Sequence, residues 1–355
     1  MVNPHFNGAD HIVRALEGVF AQTLLPREVI IVDDGSTDDG ADRARQLASP
    51  VPVRIYAQPN AGQSAARNRG VALATGDWIA FLDQDDIWRP QHLGKLHDAA
   101  ASLGTASENV KPGWVYANVD LIDGEDRIIQ PSLLHTRPGR HPKGNLTDCI
   151  RHDMFILPSA SFVARQALDA VGGFDVALKG YEDDDLFFRL MRAGFAHKFV
   201  DDPTVRYRFH GASSSRTAVM VRSLVSYAEK LFAAFAKNPS TSPARAREIA
   251  GRRFRRALLA AHARAVVTRD EELLEAVKNA AERLRPHLSA HAYWTMRGFM
   301  RALSRAAPAR AGLRIGRWLE RASREARRET AGNGLTQEAG LASSSGEQDQ
   351  RSHGS

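Results

Sequence analysis

Carboxylates cluster at three places in this chain, each at an expected junction between a strand and a loop or helix. In FLDQDDIW (81–88), Asp83 and Asp85 leave an apolar run at i and i+2. That spacing suits a hard divalent cation, Mg²⁺ or Mn²⁺, whose open positions the oxygens of a diphosphate can fill. A solvated acidic turn is the plain alternative, with Asp86 capping a helix that starts near Pro90. In IIVDDGSTDD, Asp33 and Asp34 leave another apolar run, and Gly35 permits a tight turn against a ligand. Their carboxylates could accept hydrogen bonds from a base N–H or ribose hydroxyls, or simply form a turn and helix cap. In NAGQSAARNRG, Asn60 and Gly62 open a helix that carries Arg67, whose planar fork matches a phosphate unless it faces solvent. GYEDDDLFFRLMRAG sets Glu182, Asp183, Asp184 and Asp185 at a helix start. One acid suffices to complement the macrodipole, so the others invite a second role, such as a general base. His210, in YRFHGASSSR, is a further candidate metal ligand or a structural histidine.

These residues need a frame to bring them together. EVIIVDDG, PVRIYAQ, DWIAFLD and GWVYANVD read as strands. Helices are expected within 8–22, at about 38–48 (capped by STDD), at 62–74 and at 90–104. This alternation predicts a mainly parallel sheet covered on both faces, with ligands beyond the carboxyl ends of the strands. VDDGS and LDQDD both lie at such ends. From Leu121 to about Pro158 the pattern turns irregular and rich in proline and basic residues, as in a functional or mobile link. A compact unit follows, then alanine- and arginine-rich helices through about Arg328, and a polar tail expected to be disordered.

Composition sets outer bounds. The 355 residues are 43% hydrophobic and 25% charged, and no window reads as a membrane span. No signal peptide is recognisable and there is one cysteine, Cys149, so a cytoplasmic location without a disulfide is the expectation. Gly251–Thr330 hold 19 Lys/Arg against 8 Asp/Glu; with +7 for the whole chain, about −4 remains elsewhere. The basic helices therefore either solvate themselves, pack on the rest of the chain or a second subunit, or meet an anionic membrane surface. Few aromatics interleave with the arginines and no nucleic-acid motif accompanies them, so nucleic acid is not an expected partner.

In order, PHFNG, VIIVDDGSTD, NAGQSAARNRG, GDWIAFLDQDD, GGFD, GYEDDDLFFRL and YRFHGASSS resemble the family-2 inverting glycosyltransferases across roughly residues 1–217. That resemblance implies a GT-A fold: a Rossmann-like, mixed but mainly parallel α/β sheet flanked by helices, here followed by a helical extension. The expected division is 1–217 catalytic, 218–330 basic helices and 331–355 tail. It also implies a nucleotide-sugar donor, UDP-linked by preference, a divalent metal (Mn or Mg), and a glycan or lipid-linked acceptor in cell-surface polysaccharide synthesis. Asp34 would contact the base with Asp33 in support, Asp83 the ribose, Asp85 and His210 the metal, and Asp183 of the Glu182–Asp183 pair would be the base. Pro4, Asn60 and Arg67 fall on the nucleotide side. Two departures stand out. The chain opens at MVNPHFN, where the family has a longer apolar strand, so a shortened first strand and a non-catalytic nucleotide-sugar binder are the second expectation. Asp184 replaces a common aromatic, and is expected to raise the pKa of its neighbour or to touch a basic acceptor.

Overall fold

The computed structural model describes residues 1–104, 111–208, 217–236 and 243–306. The elements, in order, are β1 (Val2–His5), α1 (Ile12–Phe20), β2 (Val29–Asp33), α2 (Gly40–Gln46), β3 (Val53–Ala57) and α3 (Gln63–Leu73). They continue with β4 (Trp78–Ala80), β5 (Ile87–Trp88), α4 (His92–Gly104), β6 (Pro112–Ile122), β7 (Ile128–Gln130) and α5 (Leu146–Arg151). Next come β8 (Ser161–Ala164), α6 (Arg165–Val171), α7 (Glu182–Arg192) and β9 (Ala196–Arg208). Four helices close the described chain: α8 (Ala218–Ala236), α9 (Pro243–Thr268), α10 (Glu271–Leu284) and α11 (Ala290–Ala306).

Strands β1, β2 and β3 pair in parallel, with the apolar, buried β2 in the middle and helices making the crossovers. The four residues of β1 all find partners, from Val2 opposite Ile30 to His5 opposite Asp33. A bridge from Val2 to Phe81 carries the sheet on toward β4. Beyond it the sheet is mixed, in the order β4-β8-β6-β9-β5, where only β6 and β9 run parallel. Simple strand–helix alternation therefore describes the first half of the sheet but not the second.

α1 buries Ile12, Ala15, Leu16 and Val19, while Phe20 at the end of that stripe stays half-buried. STDD does not cap α2 as expected: no side chain caps Asp39, and Asp38 accepts instead from the amides of Gly40 and Ala9. Asp86 does not cap α4 either. The short β5 intervenes, α4 starts at His92, and the Asp86 carboxyl accepts from the backbone N–H of Arg208 at 3.0 Å. The irregular segment after Leu121 contains β7, a 3₁₀ turn at Leu133–Thr136, and α5.

One apolar core runs from Val2 and Phe81 through Phe174, Leu186 and Phe187 to Tyr227, Phe254, Leu258, Val277 and Met300. The C-terminal helices thus share a core with the sheet and with α7. Full burial of a side chain such as Phe254 contributes roughly 1.5–3 kcal/mol. Among the described residues, no helix is long and apolar enough to cross a membrane. The tail 331–355, and Trp318 in the basic segment, lie outside the described residues.

Candidate active site

Of the three acid clusters, two lie at the carboxyl ends of β2 and β4 and the third opens α7; Arg67 links the last two. At the end of β2, Asp33 accepts from the Ser36 amide at 3.0 Å. Gly35, at φ +80°, lets this turn press on the loop after β3; a Cβ there would lie 2.9 Å from the Asn60 nitrogen. Asp34 is buried, and its two oxygens accept from Gln58 Nε2 (2.7 Å), Ala61 N–H (2.9 Å) and Gly62 N–H (2.7 Å). The base contact expected of Asp34 therefore falls on a side chain already engaged in holding the start of α3. Asp33, half-buried at the strand exit, is the more open of the pair. Pro4 sits buried within β1 opposite Val32, and Asn60 is exposed on the loop that Asp34 clamps.

Arg67 departs from both expectations, neither facing solvent nor lying open to a phosphate. It is 1% exposed. One terminal nitrogen donates to both oxygens of Asp83 (2.7 and 2.9 Å), the other to Oε1 of Glu182 at 3.0 Å. Its guanidinium carbon lies 5.2 Å from the centre of the Phe174 ring, which meets Phe81 edge-on. Asn68, next along α3, fixes Phe174 by bonding both its N–H and C=O at 2.8 Å. Arg67 is thus a strut between the β4 exit and the start of α7, with its fork occupied by carboxylates. The ribose contact expected of Asp83 would have to be made by a carboxylate that also accepts from Gln63 Nε2 at 3.1 Å.

Asp85 is half-buried. Its backbone carbonyl accepts from Nε of Arg208, a buried arginine at the end of β9 that also holds the carbonyls of Asp123 and Gly124. Burial, with Asp85 and Asp83 alongside, pushes the Asp86 carboxyl well above the ordinary range. His210 lies outside the described residues. Among the described residues, no three His, Cys, Asp or Glu side chains form a metal cage. Asp83 is held by Arg67 and Asp86 by the Arg208 amide, so the protein's contribution to a cation would centre on Asp85, a hard oxygen donor. This set fits an Mg²⁺ or Mn²⁺ ion that takes its remaining ligands from a bound diphosphate and water.

The four acids opening α7 do different work. Glu182 pairs with Arg67. Asp184 is buried against Arg253 of α9 and accepts from the Met154 amide at 3.1 Å. Asp185 pairs with Arg189 and Lys230, each at 2.7 Å. Asp183 is the half-buried member, and among the described residues it forms no ion pair; its Oδ1 accepts only from the Asp184 amide at 2.8 Å. A helix N-terminus lowers carboxylate pKa values. Here burial and the neighbouring Glu182, Asp184 and Asp153 win, and push Asp183 well above its ordinary value. The added repulsion expected from Asp184 is therefore present. Its other expected role, contact with a basic acceptor, is replaced by a partner from this chain.

Tyr207 shows that the clusters converge. Burial first, then the charges of Asp86, Asp85, Asp83 and Asp183, raise its phenol above the ordinary range. Sequence reasoning missed three contributors: Arg208, Arg253 and Ser159, whose hydroxyl accepts from the Asp83 amide at 3.0 Å. Arg253 and Ser159 had no legible signal; Arg208 stands in YRFHGASSSR, where a basic residue at a strand end was the available hint.

Strand ends bearing acids, a buried arginine strut and an acid-tipped helix meet on a mixed sheet flanked by helices, an α/β frame of the GT-A type. Residues 2–161 match the family model Glycosyl transferase family 2. An uncharacterized glycosyltransferase of Nostoc sp. is 31% identical over 226 residues, 62% of this chain and 67% of that protein. The chain belongs to glycosyltransferase family 2. Its matches span 35% of the length of relatives from Rickettsia conorii and Rickettsia felis. In fold it is similar to Staphylococcus aureus TarS in complex with UDP-GlcNAc, with a TM-score of 0.60 at 16% identity, covering 86% of this chain and 88% of that one. A mannosyltransferase from Pyrobaculum calidifontis, in complex with GDP-Man and Mn²⁺, gives 0.53 at 19% identity, covering 85% and 84%.

Proposed function

We propose that this chain transfers a sugar, with inversion, from a nucleoside diphosphate donor to a hydroxyl of a glycan or lipid-linked acceptor in surface-polysaccharide synthesis. UDP-sugars are the first choice of donor, in line with the UDP-GlcNAc bound by TarS. The observation that carries the reading is Asp183. It is only half-buried and has no cation partner among the described residues, while Arg67 anchors its neighbour Glu182 to Asp83. A carboxylate with raised proton affinity and no counter-charge is suited to take a proton.

In this reading Asp183 accepts the proton of the acceptor hydroxyl as that oxygen bonds to the anomeric carbon. The bond from that carbon to the diphosphate oxygen breaks on the opposite face, so configuration inverts and no enzyme nucleophile is used. Asp33 receives the nucleoside, and Asp34 shapes the loop around it. Asp83 lies on the ribose side, held in place by Arg67. Asp85 would hold a divalent metal, with His210 as its expected companion. When bound, the cation supplies positive charge against the leaving diphosphate. The expected place of action is the cytoplasmic face of a membrane, reached through the basic C-terminal helices.

The test is a nucleotide-sugar screen by thermal shift and by release of the nucleoside diphosphate, with and without Mn²⁺ or Mg²⁺. Asp183→Asn should leave donor binding in place and slow turnover by at least about 100-fold, the lower range for a lost general base. Normal turnover in that variant would remove Asp183 from the role. Donor-dependent stabilisation without any turnover in the wild type would leave a nucleotide-sugar binder instead.

A further inference from the structure

We infer that Arg253, on α9 of the helical region, is a positioning residue of the α7 centre: it pairs with Asp184 and so leaves Asp183 as the one acid opening α7 without a counter-charge among the described residues. This rests on the proposed role of Asp183 as base. The arginine comes from 69 residues downstream of its partner, and nothing in the family match, which ends at residue 161, includes it.

The geometry is that of a built contact. The Arg253 side chain is 8% exposed and that of Asp184 is 4% exposed. One nitrogen of the fork reaches Oδ2 of Asp184, and lies 3.8 Å from Asp153. The other donates to the Cys149 carbonyl at 3.2 Å, which ties α9 to α5. The guanidinium lies 5.5–6.0 Å from the ring centres of Tyr181, Tyr227 and Phe254. Tyr181 precedes α7 at φ +62°, so the arginine also backs the turn that aims the four acids. A planar, permanently charged fork held by aromatic walls is a fixed element, not a surface ion pair.

The charges around this centre come from several elements. Asp184 is faced by Arg253 from α9, by Asp153, Lys143 and Cys149 from the segment around α5, and by Tyr227 from α8. Asp183 is faced by Glu182, Asp184 and Asp153, by Arg67 from α3, and by Tyr181 and Tyr207. Lys143 is buried nearby, but its ammonium bonds to none of these groups. Burial and Asp153 raise Asp184 to about 7, while Arg253 pulls it down. Loss of the arginine therefore raises the proton affinity of the Asp183–Asp184 pair, and loss of the Asp184 charge lowers that of Asp183.

The deciding experiment is the pH profile of donor turnover by the full chain, using whichever nucleotide sugar the wild type consumes. Arg253→Met should move the acid limb up by about one pH unit, the low end for a lost opposite charge. Asp184→Asn should move it down, and the double variant should return it toward the wild-type position, while Arg253→Lys should recover part of the shift. Changes in rate with an unmoved acid limb, or shifts of the same sign in both single variants, overturn the inference. If Arg253→Met does not fold, Asp184→Asn, which keeps the side-chain shape, still decides the sign.

If the wild type consumes no nucleotide sugar, the transfer reading falls, and thermal unfolding decides the pairing. The folded-state pKa of Asp184 lies above its unfolded value, so its contribution is full at low pH and is lost as pH rises through the folded pKa. The melting deficit of Arg253→Met should then widen from pH 5 to pH 8, and adding Asp184→Asn should flatten it. A deficit equal at every pH and unchanged by Asp184→Asn counts against the pair.

Discussion

Arg67 carries more of the site than any other single residue. Its buried charge is acceptable because Asp83 and Glu182 accept from both ends of its fork. Removing one partner of such a set leaves uncompensated buried charge, which costs about 3–5 kcal/mol. Arg67→Ala should lower stability by that order in chemical denaturation, discounted somewhat because Asp83 retains 22% exposure. Donor turnover should fall as well, since Asp83 and α7 lose their common strut. A surface arginine would show neither effect, so an unchanged denaturation midpoint would return Arg67 to the phosphate-binding role. The neighbouring acids make the same point: four in a row look alike, but a different cation reaches each of three, and among the described residues none reaches Asp183.

Among the elements, α3 is held close against β1. At Gly70 the helix passes over β1, where an added Cβ would lie 2.3 Å from Cγ1 of Val2, a fully buried, β-branched side chain. In an exposed helix interior, glycine to alanine stabilises by about 1 kcal/mol. Here the methyl has no room, and overpacking costs about 1–3 kcal/mol. Gly70→Ala should therefore lower the melting temperature, and a rise would mean that α3 sits farther from β1 than described. Because Arg67 lies one turn earlier, displacement of this helix should also weaken the Arg67–Glu182 link.

At the scale of the whole molecule, the C-terminal helices are divided between two surfaces. Tyr293, Met296, Met300 and Leu303 of α11 are buried, whereas Trp294, Arg301 and Arg305 are exposed on another stripe of the same helix. The choice between packing on the chain and facing a partner is thus not exclusive, since one helix does the first and offers the second. An exposed tryptophan among arginines suits an anionic lipid surface. The full chain should float with phosphatidylglycerol vesicles at low salt, release as salt rises, and bind less well as Trp294→Ala. No flotation at low salt would remove the membrane from the proposed function.

Most of the first half of the fold was legible in the sequence: apolar runs that end in acids, alternating with helical stripes such as Ile12, Ala15, Leu16 and Val19, report local period and burial. The same patterns located all three acid clusters at strand or helix ends. They did not reveal that β8 and β9 would mix the second half of the sheet, because pairing direction depends on contacts between distant segments. Nor did they separate Asp34 the clamp from Asp33, or Asp183 from the acids beside it. A carboxylate's role follows from which donors and cations approach it in space. Those came from Gly62, Arg67, Arg208, Lys230 and Arg253, on loops, helices and strands that only folding brings to the same place.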